Sequence, residues 1–481
     1  MTDDLADLDA LGQAELVRRR DATPLELVEA AIARIEKLDP EINAVIHRRF
    51  DRALEEAASP SLPDGPFRGV PTVIKDLWSH TAGDPFHKGM RLLKELGWTE
   101  PTDTDHAARL RRAGFVFVGR TNTPELGIQP TTEPEAYGPT RNPWNTGHST
   151  GGSSGGAAAA VAARMVPVAQ ASDGGGSIRI PASECGLVGL KPTRGRVTCG
   201  PLAGDYTGGF SVELCVSNSV RDTAAYLDAV EGPGVGDPYF APPPARRYLD
   251  EVGADPGRLR VGVLTTDPRG FATIHPDCVG ATTGAARLLE SLGHHVEDSY
   301  PPALEEPEVA MGLITFFSAG LAAGLEHWSK KIGREITAAD VEAPTWTLAE
   351  AGRAITGPQF WLSREQVTSH ARRVARWWSD GFDLLLTPTI AEPPPPLGHF
   401  TGTPENPLGG LMKGAAFAMF AAPYNATGQP AITLPLGRSA DGLPIGVQLV
   451  AAYGREDLLL RVASQVEQAR PWANARPPVS A

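Results

Sequence analysis

The chain has 481 residues and only four cysteines, Cys185, Cys199, Cys215 and Cys278. No two of them form a CxxC pair, which excludes a disulfide scaffold or a cysteine-ligated metal centre and predicts buried, reduced thiols. Basic runs are equally scarce. The longest is Arg18 to Arg20, and 57 acidic against 44 basic side chains leave a formal net charge of −13. That balance argues against nucleic acid or anionic membranes as the main partner. Long hydrophobic runs are absent too. The longest uncharged apolar stretch near the centre, Gly155 to Ala163, is too short to span a bilayer and is followed by Arg164. The N-terminal MTDDLADLDALGQ is acidic and lacks a basic-then-apolar leader, so the expected location is the cytoplasm. There is no HExxH, no clustered His and Asp pattern, no phosphate-cradling GxxxxGK[ST] and no GxGxxG, so neither metal nor cofactor is expected. No internal repeat is visible.

What the chain has in quantity is glycine, 52 residues, concentrated with serine in the segment 147–198. Two clusters stand out there, GGSSGG from Gly151 to Gly156 and GGGS from Gly174 to Ser177. Glycine gathers where a backbone needs positive φ or must pass close to a ligand or another chain segment. Between the clusters, Ala157 to Arg164 predicts a helix whose N-terminus carries the first serines, and Val166 to Ala169 predicts a short buried strand. The second cluster then becomes the loop at that strand's C-terminal end, where open α/β sheets place their sites.

The remaining chain reads as alternating helices and strands. Residues 12–57 predict two helices, with Thr23-Pro24 as N-cap and N1. GVPTVIKDLW, residues 69–78, predicts a buried strand ending at Lys75, and burial of an ammonium lowers its pKa unless a carboxylate such as Asp76 pairs with it. Residues 103–114 predict a helix and 115–119 a strand, followed by a loop rich in proline and threonine from Pro130 to Trp144. Leu259 to Leu264, Cys278 to Leu292 and His294 to Glu297 predict a βαβ unit. Residues 305–380 predict mainly helix, 382–390 a central strand and 410–424 helix. Strands at 430–435 and 444–450 and a helix at 456–467 close the chain.

The pattern GxSxG, the nucleophile elbow of α/β-hydrolases, matches twice, around Ser153 and around Ser154. An esterase using either serine with a downstream histidine (His275, His294, His295, His327, His370 or His399) is therefore one reading, although loop rather than strand precedes the match. The second reading rests on several separated motifs. GVPTVIKD, GGSSGG, DGGGSIRIP and CGLVGLKPT occur in the order and spacing of the amidase signature family, which the chain resembles over essentially its whole length. TEPEAYGPTRNPWN, GQPAITLPLG and PIGVQLVAAYGREDLLL resemble, within that family, the bacterial 6-aminohexanoate cyclic-dimer hydrolases.

The resemblance implies an α/β fold with a large mixed central sheet covered by helices on both faces. It implies one amidase domain over 1–481, a catalytic core at 60–210 and a variable, mainly helical pocket region at 305–425. It assigns Ser177 as nucleophile, Ser153 as proton relay after a cis peptide, and Lys75 as base. It assigns the N–H groups of Gly174, Gly175 and Gly176 as the oxyanion hole. Asp173 and Arg179 are expected to pair and hold the glycine loop, and Ser154 to support the relay. Asn122, Tyr137, Thr150, Phe316, Phe317 and Gln429 are expected near substrate. The implied partner is a small amide, largely apolar: alkyl or aryl, a cyclic or linear nylon-type oligomer, an anilide or a carbamate. No partner chain is required, so a monomer or homodimer is expected.

Overall fold

The computed structural model describes residues 5–201, 203–205 and 207–481. Short apolar runs bounded by glycine and proline supply its strands. In chain order these are β1 (Val45–Arg48), β2 (Pro71–Lys75), β3 (Val116–Thr121), β4 (Val168–Asp173), β5 (Val188–Lys191) and β6 (Val212–Ser217). They continue as β7 (Arg260–Val263), β8 (His295–Asp298), β9 (Leu384–Pro388), β10 (Ala431–Arg438) and β11 (Pro444–Ala451). Among the described residues they make one sheet of 11 strands, ordered β1-β3-β2-β4-β6-β5-β10-β11-β9-β7-β8. The sheet is mixed: β2 runs parallel to β3 and β4, and β4 antiparallel to β6. Every residue of β2, β3, β4, β5, β6, β9 and β11 is buried, which requires cover on both faces.

Most elements match the expectation from patterning. Thr23 caps the helix Pro24–Ile42 in a reciprocal box with Glu26, and Pro24 occupies its first turn. The parallel strands β7 and β8 flank the helix Pro276–Ser291, as a βαβ unit should. Region 305–380 is three helices, Glu308–Ile332, Ala343–Arg353 and Gly357–Ser379.

Three differences have local causes. The stretch 12–57 contains β1 as well as helices. Asn43 turns the chain at φ 57°, and the Asp39 carboxylate accepts the N–H groups of Ala44 and Val45 at 2.7 and 3.0 Å, so the helix stops and an edge strand begins. β6 is a further strand: VELCVS alternates Val212, Leu214 and Val216 with Glu213, Cys215 and Ser217, yet both faces are buried, Glu213 included. β9, expected to be central, sits third from the β8 edge and is nevertheless fully buried. Cys185, Cys215 and Cys278 are buried, and Cys199 is half-buried. Among the described residues no helix is long and apolar enough to cross a membrane.

Candidate active site

Strand β2 ends at Lys75, whose side chain is completely buried. Successive strand residues point to opposite faces, and this separates Lys75 from its neighbour. Asp76 turns away and accepts the backbone N–H groups of His87 at 2.9 Å and Gly89 at 3.2 Å. Lys75 Nζ instead meets three hydroxyls: Ser153 Oγ at 2.8 Å, Ser154 Oγ at 2.9 Å and Ser172 Oγ at 2.9 Å. Burial pulls the amine pKa down to about 7, against the opposing charges of Asp173 and Glu213.

The first glycine cluster brings Ser153 to that amine. The Gly152–Ser153 peptide is cis. A Cβ at residue 152 would stand 2.5 Å from the Thr131 backbone, so only glycine admits this close pass. Gly127, at φ +73°, packs over the same hydroxyl, and a Cβ there would lie 2.5 Å from Leu77 Cδ2 and 3.1 Å from Ser153 Oγ. The helix Gly155–Ala162 begins immediately after the serines, as its composition predicts. Ser154 lies between the amine and β4. Its hydroxyl donates to the Ser172 carbonyl at 3.1 Å and accepts from Lys75.

The second cluster leaves β4 at Asp173 and enters the helix Arg179–Cys185. Asp173 and Arg179 pair through two contacts, 2.9 and 3.0 Å, with both side chains fully buried. Asn425 donates to Asp173, and Arg179 reaches Asn425, Gln448 and the Ala421 carbonyl, so the pair is tied to distant segments as well. Burial opposes the Asp173 charge, but the Arg179 guanidinium holds its carboxyl well below the usual carboxylate range. One expected oxyanion donor is taken by this clamp: the Gly176 N–H donates to Asp173 Oδ1 at 2.7 Å. Among the described residues, the N–H groups of Gly174, Gly175 and Ser177 meet no protein acceptor. Ser177 is half-buried at the turn after them and shares a cavity with Ser153, its Oγ making no hydrogen bond among the described residues.

That cavity, about 1690 Å³, is walled largely by apolar groups, among them Leu126, Phe317, Leu321, Trp328, Met419 and Phe420. Phe317 is thus the one residue of those expected near substrate that lines it. Five other residues expected near substrate are turned elsewhere. Asn122 is fully buried and holds Gly138 and Thr140. The Tyr137 hydroxyl is engaged by His47 and His87. Thr150 is buried against Gly151 and Gly155, and Gln429 donates to the Ala451 carbonyl at 3.0 Å. Phe316 packs in the core between Phe210 and Phe360.

Sequence reasoning passed over Ser172, Gln170 and Glu213. Gln170 Oε1 accepts the Lys75 backbone N–H at 3.0 Å, and its amide donates to Glu213 at 3.1 Å. The available signal was the polar alternation of Gln170 and Ser172 in an otherwise apolar strand, which puts both on one face. The esterase reading is overturned. Among the described residues no histidine bonds to Ser153, Ser154 or Ser177, and the place of a base beside Ser153 is filled by Lys75.

Comparison with known proteins agrees with this architecture. The family model described as Amidase matches residues 26–460. The chain is 46% identical over 476 residues to the 6-aminohexanoate-cyclic-dimer hydrolases of a Pseudomonas strain and of Paenarthrobacter ureafaciens, with 98% of this chain and 96% of each relative covered. A solved 6-aminohexanoate cyclic dimer hydrolase in complex with substrate superposes with a TM-score of 0.95 at 45% identity, covering 98% of this chain and 99% of that one. A bacterial aryl acylamidase of the amidase signature family superposes with a TM-score of 0.87 at 28% identity, covering 98% and 99%. The chain belongs to the amidase signature family, and it is a hydrolase of carbon–nitrogen bonds other than peptide bonds.

Proposed function

We propose that this enzyme hydrolyses small, largely apolar amides through an acyl-enzyme on Ser177, with Ser153 as relay and Lys75 as base. The observation that carries this reading is the buried Lys75 amine at 2.8 Å from Ser153 Oγ, with no carboxylate paired to it among the described residues. A neutral amine has two N–H groups and one lone pair. The Ser154 proton is committed to the Ser172 carbonyl, so Ser154 Oγ receives one N–H. A second goes to Ser172, and the lone pair is left facing Ser153.

In the first half-reaction Ser177 gives its proton to Ser153 Oγ as Ser153 passes its own to Lys75 Nζ. Ser177 Oγ bonds to the substrate carbonyl carbon, and the oxyanion takes N–H donors from Gly174 and Gly175. The C–N bond then breaks as the proton returns from Lys75 through Ser153 to the leaving nitrogen, which departs as a neutral amine. Water then gives a proton through the same relay to Lys75 as it attacks the acyl carbon, and the bond to Ser177 Oγ breaks as that proton returns to Ser177, which releases the carboxylic acid. In unliganded enzymes such hydrogen bonds are often long and tighten with substrate in place, in keeping with the unpartnered Ser177 hydroxyl.

Within one amidase unit spanning 1–481, segment 60–210 would carry the chemistry and 305–425 the selectivity. The apolar cavity and the relatives named above favour cyclic or linear nylon-type oligomers, with anilides and carbamates presenting the same carbonyl. The acidic charge and the uninterrupted site suit a cytoplasmic monomer or homodimer that needs no nucleic acid. A panel of a cyclic amide dimer, a linear aminohexanoate oligomer, an anilide and an aryl carbamate, assayed for amine release, tests the reading. Amine release from at least one, lost in Ser177→Ala, is expected. Turnover surviving in Ser177→Ala would overturn it.

A further inference from the structure

Lys88 lines the same cavity as Ser153 and Ser177. Its Nζ lies over three aromatic rings, Trp328 at 5.0 Å, Trp78 at 5.4 Å and Phe86 at 5.7 Å from the centroids. Among the described residues it has neither an ion pair nor a hydrogen-bond acceptor. The nearby carboxylates are engaged: Glu100 pairs with Lys331 and accepts the Trp98 indole N–H, and Asp76 is bonded to backbone.

That backbone is the turn carrying Lys88 itself. The Asp76 carboxylate holds the N–H groups on both sides of it, at His87 and Gly89, while Lys88 sits at φ +57°, a left-handed conformation uncommon for a lysine. Its carbonyl accepts the Leu126 N–H at 2.9 Å, beside the Gly127 that covers Ser153. The turn is thus fixed against the Ser153 hydroxyl, and its cation faces a mainly apolar space that His80, Glu100, His327 and Lys331 also line. Burial and Lys331 pull the Lys88 pKa down to about 8, with Glu100 and Asp76 opposing, so the side chain is mostly cationic at neutral pH.

A cation caged by aromatic faces keeps N–H donors to offer, and a carboxylate satisfies both charge and geometry. We propose that Lys88 anchors a carboxylate borne by the substrate away from the scissile amide, so that the enzyme prefers carboxylate-bearing amides to uncharged ones. This rests on the amide reading above and names the substrate class for that site.

The test uses the Ser177→Ala protein, in which binding is read without turnover. Affinities of 6-acetamidohexanoate and of its methyl ester are measured by calorimetry with Lys88 present and with Lys88→Met. The acid should bind at least about tenfold more tightly than the ester, and Lys88→Met should abolish the difference. Equal affinities in the Lys88 protein overturn the proposal whatever the variant does, as does a preference that Lys88→Met leaves intact. The amide reading fails separately, by absence of amine release from every member of the panel with the wild-type enzyme.

Discussion

At the scale of single residues, the proposed chemistry turns on the protonation of one amine. Protonated Lys75 would fill all three serine contacts with N–H donors and have no lone pair for Ser153. Its folded pKa of about 7 is lowered, so the neutral, competent form grows as pH rises. The expected profile of kcat/KM climbs with pH up to about 7 and then levels, measured with an uncharged substrate so that Lys88 does not contribute. A rate that falls over this interval would contradict the role of Lys75. Lys75→Met, which keeps the apolar stem and removes the amine, should cost about 10²–10⁴-fold in kcat, in line with the usual contribution of a general base. Ser177→Ala should cost more, roughly 10⁴–10⁶-fold, with the melting temperature unchanged because the hydroxyl has no hydrogen-bond partner among the described residues.

The loop between β4 and the helix Arg179–Cys185 is the element that would stabilise the oxyanion in the proposed reaction. Its glycines are not equivalent. A Cβ on Gly174 would meet only Ser211 Oγ, at 2.6 Å, and that hydroxyl can rotate at the cost of its 3.2 Å bond to Thr207. A Cβ on Gly176 would stand 2.8 Å from both Ala421 Cβ and Ile180 Cδ1, on a backbone at φ +126°. Gly174→Ala should therefore cost about 1 kcal/mol, relieved by Ser211→Ala, whereas Gly176→Ala should cost at least about 2 kcal/mol. Urea unfolding of the single and double variants checks both. Asp173→Asn leaves the Arg179 charge buried and unpaired, an expected loss of about 3–5 kcal/mol with a fall in kcat as the loop loosens. Retained stability in that variant would mean that Asn425 and Gln448 hold Arg179 without the carboxylate.

Across the whole molecule, the site forms because the sheet order sets β2 beside β4, bringing Lys75 to serines far along the chain. The opposite side of the cavity comes from the helices Glu308–Ile332 and Gly409–Phe417, so the proposed chemistry and the selectivity it would show belong to separate segments. Gly320 lies on that wall, and a Cβ there meets nothing within 4 Å. Gly320→Leu should raise KM for the bulkier members of the panel about tenfold, through loss of cavity volume, while kcat on the smallest and the melting temperature change little. Equal effects on large and small substrates would place the residue outside the binding path.

The motif residues Lys75, Ser153, Ser154, Asp173, Ser177 and Arg179, the mixed α/β character and most element positions are legible in the amino-acid order, because caps, breakers and hydrophobic periods act over a few neighbouring residues. Which of these groups touch is a property of the folded chain alone. The place of β6, and with it the buried Glu213, is set by pairing with β4 and β5, which no local pattern encodes. The Gly176 N–H is lost to Asp173 through the three-dimensional course of the loop. Phe316 and Phe317 are adjacent and chemically identical, yet one is core and the other cavity wall. Each step along a helix turns the side chain by about 100°, and which direction meets substrate depends on what the rest of the chain packs against it.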